Sequence, residues 1–411
     1  MKDKENYFKK YRHDIYTILC KAYNNVPFYN KTWKINMPTY EKFTYGFFCN
    51  NVPILGKEIL RNNSEKFLNS NVNKENLYME MTSGTEGKPI VCYRSKKEQL
   101  QCAITQWNFR RKYIKNLSPN DKFAHFYVFR KDKEKLLSNC IIEKGNELLL
   151  PIFDLSEKKL FQIWEKIMDF CPRWIHGTPS ILYNIAMLIE KYRLPSIKIE
   201  LIELVGEFTP IMWKEKIKKN FGGSVAIQYG CREYWPLAYT DINGELLISN
   251  NVYLESVFNT KSKKNEILIT TIKNESWPLI RYNIGDEGRL IFKNNQAYLD
   301  LYNGRNANFF SLRNKKYNTI IFSGLTRNIC AKYHMNAILQ FQVQRISDNK
   351  IKILVVLSEN CNKKTIINEY KREIENILEE DIIVEIKEVA IIEPDYKTGK
   401  FKEFVDLANM I

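Results

Sequence analysis

Apolar residues at Tyr11, Ile15, Ile18, Leu19 and Ala22 recur every three or four positions. That spacing predicts a helix near the N-terminus, ending before Val26-Pro27. A second helix is predicted from Glu157 to Cys171, with Leu160, Trp164, Ile167, Met168 and Cys171 on one face. A third follows Pro179 and carries Leu182, Ile185, Ala186 and Ile189. After it, "LIELVGE" and "GSVAIQYG" are short apolar runs ending in glycine, the pattern of buried strands. Strand-like runs alternate with amphipathic helices to about residue 300. This predicts an α/β domain with parallel strands, whose ligands collect at the strand C-terminal ends.

The last hundred or so residues follow another pattern. "LQFQVQRISDNKIKILVVLS" predicts a hairpin turning at Ser347-Asp348-Asn349. "KKTIINEYKREIENILEED" predicts an amphipathic helix, and "IIVEIKEVAII" a further strand. The fold class is therefore α/β: a large N-terminal α/β domain and a small C-terminal α+β domain. The Asn-rich "NGRNANFF" puts the boundary near Arg305 to Phe310, giving domains of residues 1–306 and 307–411.

Composition changes this picture little. The 411 residues exceed one typical core, and 44% apolar with 13% aromatic content predicts a packed interior. Lys and Arg outnumber Asp and Glu by 63 to 47, a net charge of +16. Such an excess attracts nucleic acid or anionic membranes where it clusters, but here the lysines are dispersed, the pattern of solvated faces. The nine cysteines include no C-x-x-C or C-x-x-H spacing, which disfavours zinc and disulfides and fits a reducing compartment. "MKDKENYFKK" has no apolar h-region, and no apolar run approaches the roughly 18 residues of a membrane span. A cytoplasmic protein without membrane partners is expected.

One segment, "YMEMTSGTEGKPIVCYRS", has the composition of a phosphate loop. A Walker loop, G-x-x-x-x-G-K-[ST], would need glycine at 82 and a hydroxyl at 89; the chain has Thr82 and Pro89. Proline supplies neither a hydroxyl for Mg²⁺ nor an amide donor, so a P-loop NTPase is excluded.

"TSGTEGKP" instead resembles the phosphate-binding signature of the adenylate-forming acid:AMP ligases, most closely the branch of phenylacetate–CoA ligase and CapK-like proteins. Further matches follow in the family's order. "NVPFY" resembles its N-terminal segment, "VGEFTP" its nucleotide-side Glu motif and "QYGCRE" its Tyr-Gly-x-x-Glu. "PLIRYNIGDEGRL" resembles its Pro-Leu-Ile-Arg-Tyr-x-x-Gly-Asp, "NGRNANF" its Gly-Arg hinge, and "YKTGKFKEF" its C-terminal Ser-Gly-Lys motif. These matches span the chain from about residue 25 to 402.

The resemblance implies ATP, Mg²⁺ and a small-molecule carboxylic acid as ligands, and a mobile C-terminal lid. It implies an acyl-adenylate passed to a thiol, either CoA or the phosphopantetheine of a carrier protein. The alternative is transfer to an amine. Ser83, Thr85 and the amides of Gly84 and Gly87 would take the β- and γ-phosphates, glycine allowing close main-chain approach. Lys88 would add charge or remain a solvated loop lysine. Tyr229, beside Gly230, would stack on adenine, Glu233 would hold Mg²⁺, and Asp286 would bind ribose hydroxyls. Glu207 would sit beside the adenylate, Arg305 would reach ribose or phosphate, and Arg281 would approach phosphate or brace its loop. Lys400 would reach the forming adenylate from the small domain.

The acid pocket is expected between "AHFYVFR" and "PRWIHGTPS", with Phe126, Phe129, Trp174 and His176 giving it aromatic character. Plain core aromatics and structural histidines (His125 and His176) are the alternative reading. The chain departs from the family at Glu86, Asn308 and Asn314, the last where an Arg-Gly turn commonly helps form the CoA tunnel. A basic nucleic-acid-binding protein on a degenerate scaffold remains the competing class, and it predicts clustered charge that this chain lacks.

Overall fold

The computed structural model describes residues 2–411 apart from 82–89, 128–129, 133–134, 138–139, 152–156, 261–262, 295, 303–308, 314, 319–321, 323–324, 327–328, 331, 334–336, 360, 379–380, 394–401 and 409–411. Four helices open the chain: α1 (Lys2–Asn25), α2 (Pro27–Thr32), α3 (Tyr45–Asn51) and α4 (Lys57–Asn63). A hairpin of β1 (Leu77–Met81) and β2 (Val91–Ser95) then leads into α5 (Lys96–Tyr113). Ser95 and Glu98 form a reciprocal capping box that fixes where α5 begins.

Next come β3 (Phe123–Tyr127), the small hairpin β4 (Arg130–Asp132) and β5 (Lys135–Leu137), β6 (Ile142–Lys144) and β7 (Glu147–Pro151). Three strand–helix units follow: α6 (Glu157–Phe170) with β8 (Trp174–Gly177), α7 (Pro179–Tyr192) with β9 (Leu201–Val205), and α8 (Ile211–Phe221) with β10 (Ser224–Gly230). The meander continues as β11 (Pro236–Thr240), β12 (Leu246–Ile248), β13 (Val252–Asn259), β14 (Lys264–Thr271), β15 (Tyr282–Lys293) and β16 (Gln296–Leu301). One twelve-stranded sheet results, in the order β13-β14-β15-β16-β12-β11-β10-β9-β8-β3-β7-β6.

Within it β7, β3, β8, β9 and β10 are parallel neighbours. The helical crossovers make this possible, since parallel strands cannot be joined by a tight turn. The expected alternation stops at β10 rather than near residue 300. From β11 on the connections lack helices, and all pairings are antiparallel.

The sheet separates two environments. On one face α6, α7 and α8 bury Leu160, Ile163, Trp164, Ile167, Leu182 and Ile185 against Ile175, Ile202 and Leu204. Cys171 is exposed and lies beyond the end of α6; Ile163 and Phe170 fill the face expected to include it. On the other face α5 covers Trp174, Leu201, Ala226 and Tyr239. The α1 stripe packs with Phe48, Tyr253, Trp277 and Tyr282 against the antiparallel half.

The C-terminal unit has its own sheet of β19 (Ile338–Ser347), β20 (Lys350–Leu357), β21 (Ile383–Glu388) and β22 (Phe404–Asp406), in the order β21-β20-β19-β22. It follows a hairpin of β17 (Phe309–Leu312) and β18 (Lys315–Asn318). The predicted turn holds: Ser347 pairs with Lys350 around Asp348 and Asn349. The predicted helix covers Lys363–Glu375 and buries Ile366, Tyr370 and Ile374. "IIVEIKEVAII" is strand only over Ile383–Glu388, where it pairs parallel to β20. The expected boundary at 306/307 lies outside the described residues. The two units meet where Trp213 Nε1 donates to the Leu339 carbonyl at 3.1 Å and Gln340 Nε2 to Asn184 Oδ1 at 3.3 Å.

Beneath α5, Glu203 is fully buried and accepts a bidentate pair from Arg110, at 2.8 Å from Nε and 2.7 Å from Nη2. The Tyr239 hydroxyl donates to it at 2.5 Å and His176 Nδ1 lies 2.6 Å away. Burial alone would raise the Glu203 pKa, but Arg110, and then His176, hold it well below the usual carboxylate range. Removing only the guanidinium leaves this charge buried and under-compensated. Arg110→Met is therefore expected to lower the unfolding free energy by about 3–5 kcal/mol in urea denaturation. Adding Glu203→Leu removes the stranded charge and is expected to recover part of that loss.

Candidate active site

The C-terminal ends of β3, β8, β9 and β10 lie along one edge of the sheet. Glu207 and Glu233 follow β9 and β10, Tyr229 and Gly230 end β10, and Phe126 and His176 are the next-to-last residues of β3 and β8, whereas Trp174 opens β8. After β9, Glu207 reaches the start of α7. Its Oε2 accepts the Ser180 amide at 3.0 Å and its Oε1 the Ser180 hydroxyl at 3.1 Å. Thr178, the N-cap residue, makes no side-chain capping bond, so Glu207 satisfies that helix end from another strand. Its carboxylate stands at a positive helix terminus, where negative charge is stabilised.

At the end of β10 the register shifts between Tyr229 and Gly230. A Cβ at Gly230 would lie 2.2 Å from the Trp235 carbonyl oxygen, so the return of the chain to β11 requires glycine there. The shift directs the Tyr229 hydroxyl to Asp286 Oδ2, which accepts it at 2.6 Å. Asp286 lies at an irregularity of β15, where the register against β14 shifts between Asn283 and Glu287: the Asn283 side chain accepts the Gly285 amide at 2.9 Å, and Gly285 has φ +86°. Glu233, only 5% exposed, accepts the Tyr282 hydroxyl at 2.8 Å. Burial, and then the Glu233 charge, push the Tyr282 phenol well above its ordinary pKa, so it remains a donor. Two expected nucleotide-side residues thus come into direct contact, and the third is held by β15, the strand that also carries Asp286.

Residues 82–89 connect β1 to β2 and lie outside the described residues, so Ser83, Gly84, Thr85, Glu86, Gly87 and Lys88 have no described placement. The strands flanking them are described, and they are clamped. Arg94, 1% exposed, pairs with Glu80 across the hairpin and donates to the Arg232 carbonyl at 2.9 Å. Its guanidinium stacks 4.7 Å from the Trp235 ring, while Trp235 Nε1 donates to Glu80 Oε2 at 2.9 Å. The mouth of the expected phosphate loop is therefore fastened to the Gly230–Trp235 turn. Sequence reading missed Glu80, Arg94 and Trp235. The signal for the first two was the hairpin register, which pairs Tyr78 with Arg94 and Glu80 with Cys92 and so makes Glu80 and Arg94 diagonal neighbours on one face.

Arg281 makes the contacts of a brace. It is 4% exposed, with Nε 3.1 Å from Glu255 and Nη1 donating to the Cys49 and Val52 carbonyls at 2.8 and 2.6 Å. The expected aromatic acid pocket is divided by the sheet. Trp174 and His176 face α5, with Trp174 stacked on Phe123 at 4.8 Å and edge-on to Trp107. Phe126 faces the α6–α8 side, where a Cβ on Gly177 would approach its ring to 2.7 Å. The cause is strand parity: His125 is in register with His176, so Phe126 points the other way. Phe129, Arg305, Asn308, Asn314 and Lys400 lie outside the described residues.

No family model matches the chain. It is 25% identical over 364 residues to protein CapK of Staphylococcus aureus, covering 85% of this chain and 78% of that protein. It is 24% identical over 268 residues to indoleacetate–lysine synthetase of Pseudomonas savastanoi, covering 63% of this chain and 65% of that one. Among solved structures it resembles 2-hydroxyisobutyryl-CoA ligase in its postadenylation state, with a TM-score of 0.71 and 14% identity over 98% of this chain and 90% of the other. No described helix is long and apolar enough to cross a membrane.

If Arg94 holds the hairpin, Arg94→Met removes a charge-assisted hydrogen bond and leaves Glu80 underpaired, worth about 1.5–3 kcal/mol. Amide exchange in β1 and β2 is expected to accelerate by about tenfold or more, with exchange in β19 and β20 unchanged. Mass spectrometry of peptic fragments reads both.

Proposed function

Since the chain belongs to the adenylate-forming ligase superfamily, on its CapK-like branch, we propose that it is an ATP-dependent acid ligase. It activates a carboxylic acid as an acyl-adenylate and passes the acyl group to a nucleophile. The observation that carries this reading is the Tyr229–Asp286 contact at the strand C-terminal edge, with Glu233 held by Tyr282 alongside. A phenol fixed by its hydroxyl offers a ring face for adenine, and the carboxylate that fixes it is placed for ribose hydroxyls.

Attack of a carboxylate oxygen on the α-phosphorus expels pyrophosphate and spreads charge over the phosphoryl oxygens. Catalysis is then mainly positioning and electrostatic stabilisation. Arg94 clamps the strands on either side of residues 82–89, whose amides and Lys88 would, as the resemblance implies, offset the negative charge of the leaving phosphates. Glu207, fixed at the start of α7, borders the acyl-phosphate linkage.

Mg²⁺ commonly takes one or two protein carboxylates together with substrate phosphates rather than a cage of side chains. Glu233, with one carboxylate oxygen engaged by Tyr282, fits that donor set. When bound, the ion would neutralise charge on the phosphate oxygens.

For the acceptor we favour an amine. A relative aligned over 268 residues is named for joining an acid to lysine, and Asn314 stands where the CoA-accepting branch commonly has its Arg-Gly turn. Transfer to CoA or a carrier-protein thiol is the second reading. Its support is the resemblance to the phenylacetate–CoA ligase branch.

The test is pyrophosphate release over a panel of carboxylic acids, each with free amino acids, with CoA, and with hydroxylamine as trap. Acid-dependent pyrophosphate and hydroxamate are expected, with amide rather than thioester as product. Thioester formation moves the assignment to the thiol, and absence of acid-dependent pyrophosphate removes the ligase reading. Lys400→Ala is expected to slow pyrophosphate release by roughly 10²–10³, the cost of one lost donor to the developing charge, while still consuming a preformed acyl-adenylate. Undiminished release by this variant would remove Lys400 from the adenylation step.

A further inference from the structure

A second concavity lies away from the Tyr229–Asp286 contact. It is a groove of about 460 Å³ between α1 and α5, over β12 and the start of β16. That volume is within the range of small-molecule sites. Tyr7, Tyr11, Phe109, Ile248 and Ala297 form its buried floor. Gln101, Thr105, Asn108 and Lys112 of α5 recur at helical spacing, so the helix turns one polar face to the groove. The lining includes none of the expected nucleotide-side residues, and β11 separates β12 from the strand that carries Tyr229. At one end of the groove, Ala297 is in register with Phe292, which lies about 20 Å beyond Asp286 along β15 by the rise of a strand.

Among the described residues the groove is lined by three lysines and no carboxylate. Lys273 is offset by Asp14, 2.9 Å away. Lys10 and Lys112 have no ion-pair partner among the described residues, and each ammonium group lies over a ring of the floor. Lys10 Nζ is 5.3 Å from the Tyr11 centroid and Lys112 Nζ is 5.1 Å from that of Phe109. The side-chain amides reinforce the same polarity. Asn250 Oδ1 accepts the Tyr11 hydroxyl at 3.1 Å, and Gln296 Oε1 accepts that of Tyr298 at 2.9 Å. Each amide thus has its oxygen engaged and its NH₂ group left to donate. Two ammonium groups and two amide donors border an apolar floor, and no acid of the lining competes for them.

We propose that this groove is a second ligand site, for a small organic anion: an apolar body ending in a carboxylate or a phosphate. The body covers the Tyr11 and Phe109 floor, and the anionic end takes Lys10, Lys112 and the amide donors. Burial of the body supplies most of the affinity. Exposed lysines add little to it, but they set the sign of charge that the groove accepts. The site is independent of the chemistry at Tyr229 and Asp286, and it stands whether or not the chain forms an adenylate.

The test titrates the full chain with a matched fluorescent pair: 1-anilinonaphthalene-8-sulfonate, and N-phenyl-1-naphthylamine, the same body without the anion. Saturable binding of the sulfonate is expected. Lys10→Met combined with Lys112→Met is expected to raise its Kd about fivefold or more, and to move the Kd of the neutral probe by less than about twofold. Ile104→Glu, at an exposed lining position of α5, adds a carboxylate and is expected to weaken the sulfonate at least as much. These positions are exposed on helices, where substitutions cost little stability, and circular dichroism with thermal melting checks that each variant is folded. Competition by 1-naphthoate and by 1-naphthyl phosphate tells a carboxylate end from a phosphate end, and displacement by either supports the site. Displacement by neither overturns the proposal. So does absence of saturable sulfonate binding, an unchanged sulfonate Kd in the folded lysine variant, or an equal loss of both probes.

Discussion

A carboxylate sealed from water must be matched by charge and hydrogen bonds within the protein, and Glu203 is matched from α5, β8 and β11 at once. That requirement fixes how α5 lies on the sheet. The Arg110 guanidinium can reach Glu203 only by lying against Trp174 and Trp107, at 4.3 and 4.8 Å from their ring centroids. The helix begins at the Ser95–Glu98 box, immediately after β2, so its placement also places the hairpin. Glu98 meanwhile accepts the amides of Glu275 and Ser276 at 2.8 Å each, carrying the same alignment into the antiparallel half.

Much of the fold was legible because local and tertiary demands agree. The α1 stripe, the α7 stripe, the buried runs at β9 and β10 and the Asp348-Asn349 turn are each specified by period or turn chemistry within a few residues. The antiparallel half was not, because an apolar run does not state the direction of its partner; only the absence of intervening helices did. Tyr229, Glu233 and Asp286 were legible as motif members, but the Tyr229–Asp286 and Tyr282–Glu233 contacts needed two distant segments brought together.

Arg281 and the aromatic pocket mark where single-strand reading stops. An arginine in a motif-like run carries no sign of whether it meets a ligand or a buried Glu255, 26 residues away in the chain. Phe126 and Trp174 are both large, aromatic and close in the sheet, yet strand register puts them on opposite faces. Register is a relation between strands, and neither "AHFYVFR" nor "PRWIHGTPS" contains it. Arg94 was passed over for a related reason: a charged residue beside a glycine-rich loop reads as solvated, whereas the Trp235 ring and the Arg232 carbonyl bury it.

The central sheet also acts as a partition. Its α6–α8 face holds a dense apolar core, while His125, His176 and Gln228 lie on the opposite face, the one that α5 covers. Substitutions that alter ligand preference can therefore accumulate on one face without eroding the packing on the other. An architecture of this kind lets a lineage change what it recognises while keeping the machinery at the strand ends, and here the insulating layer is a single strand thickness of backbone.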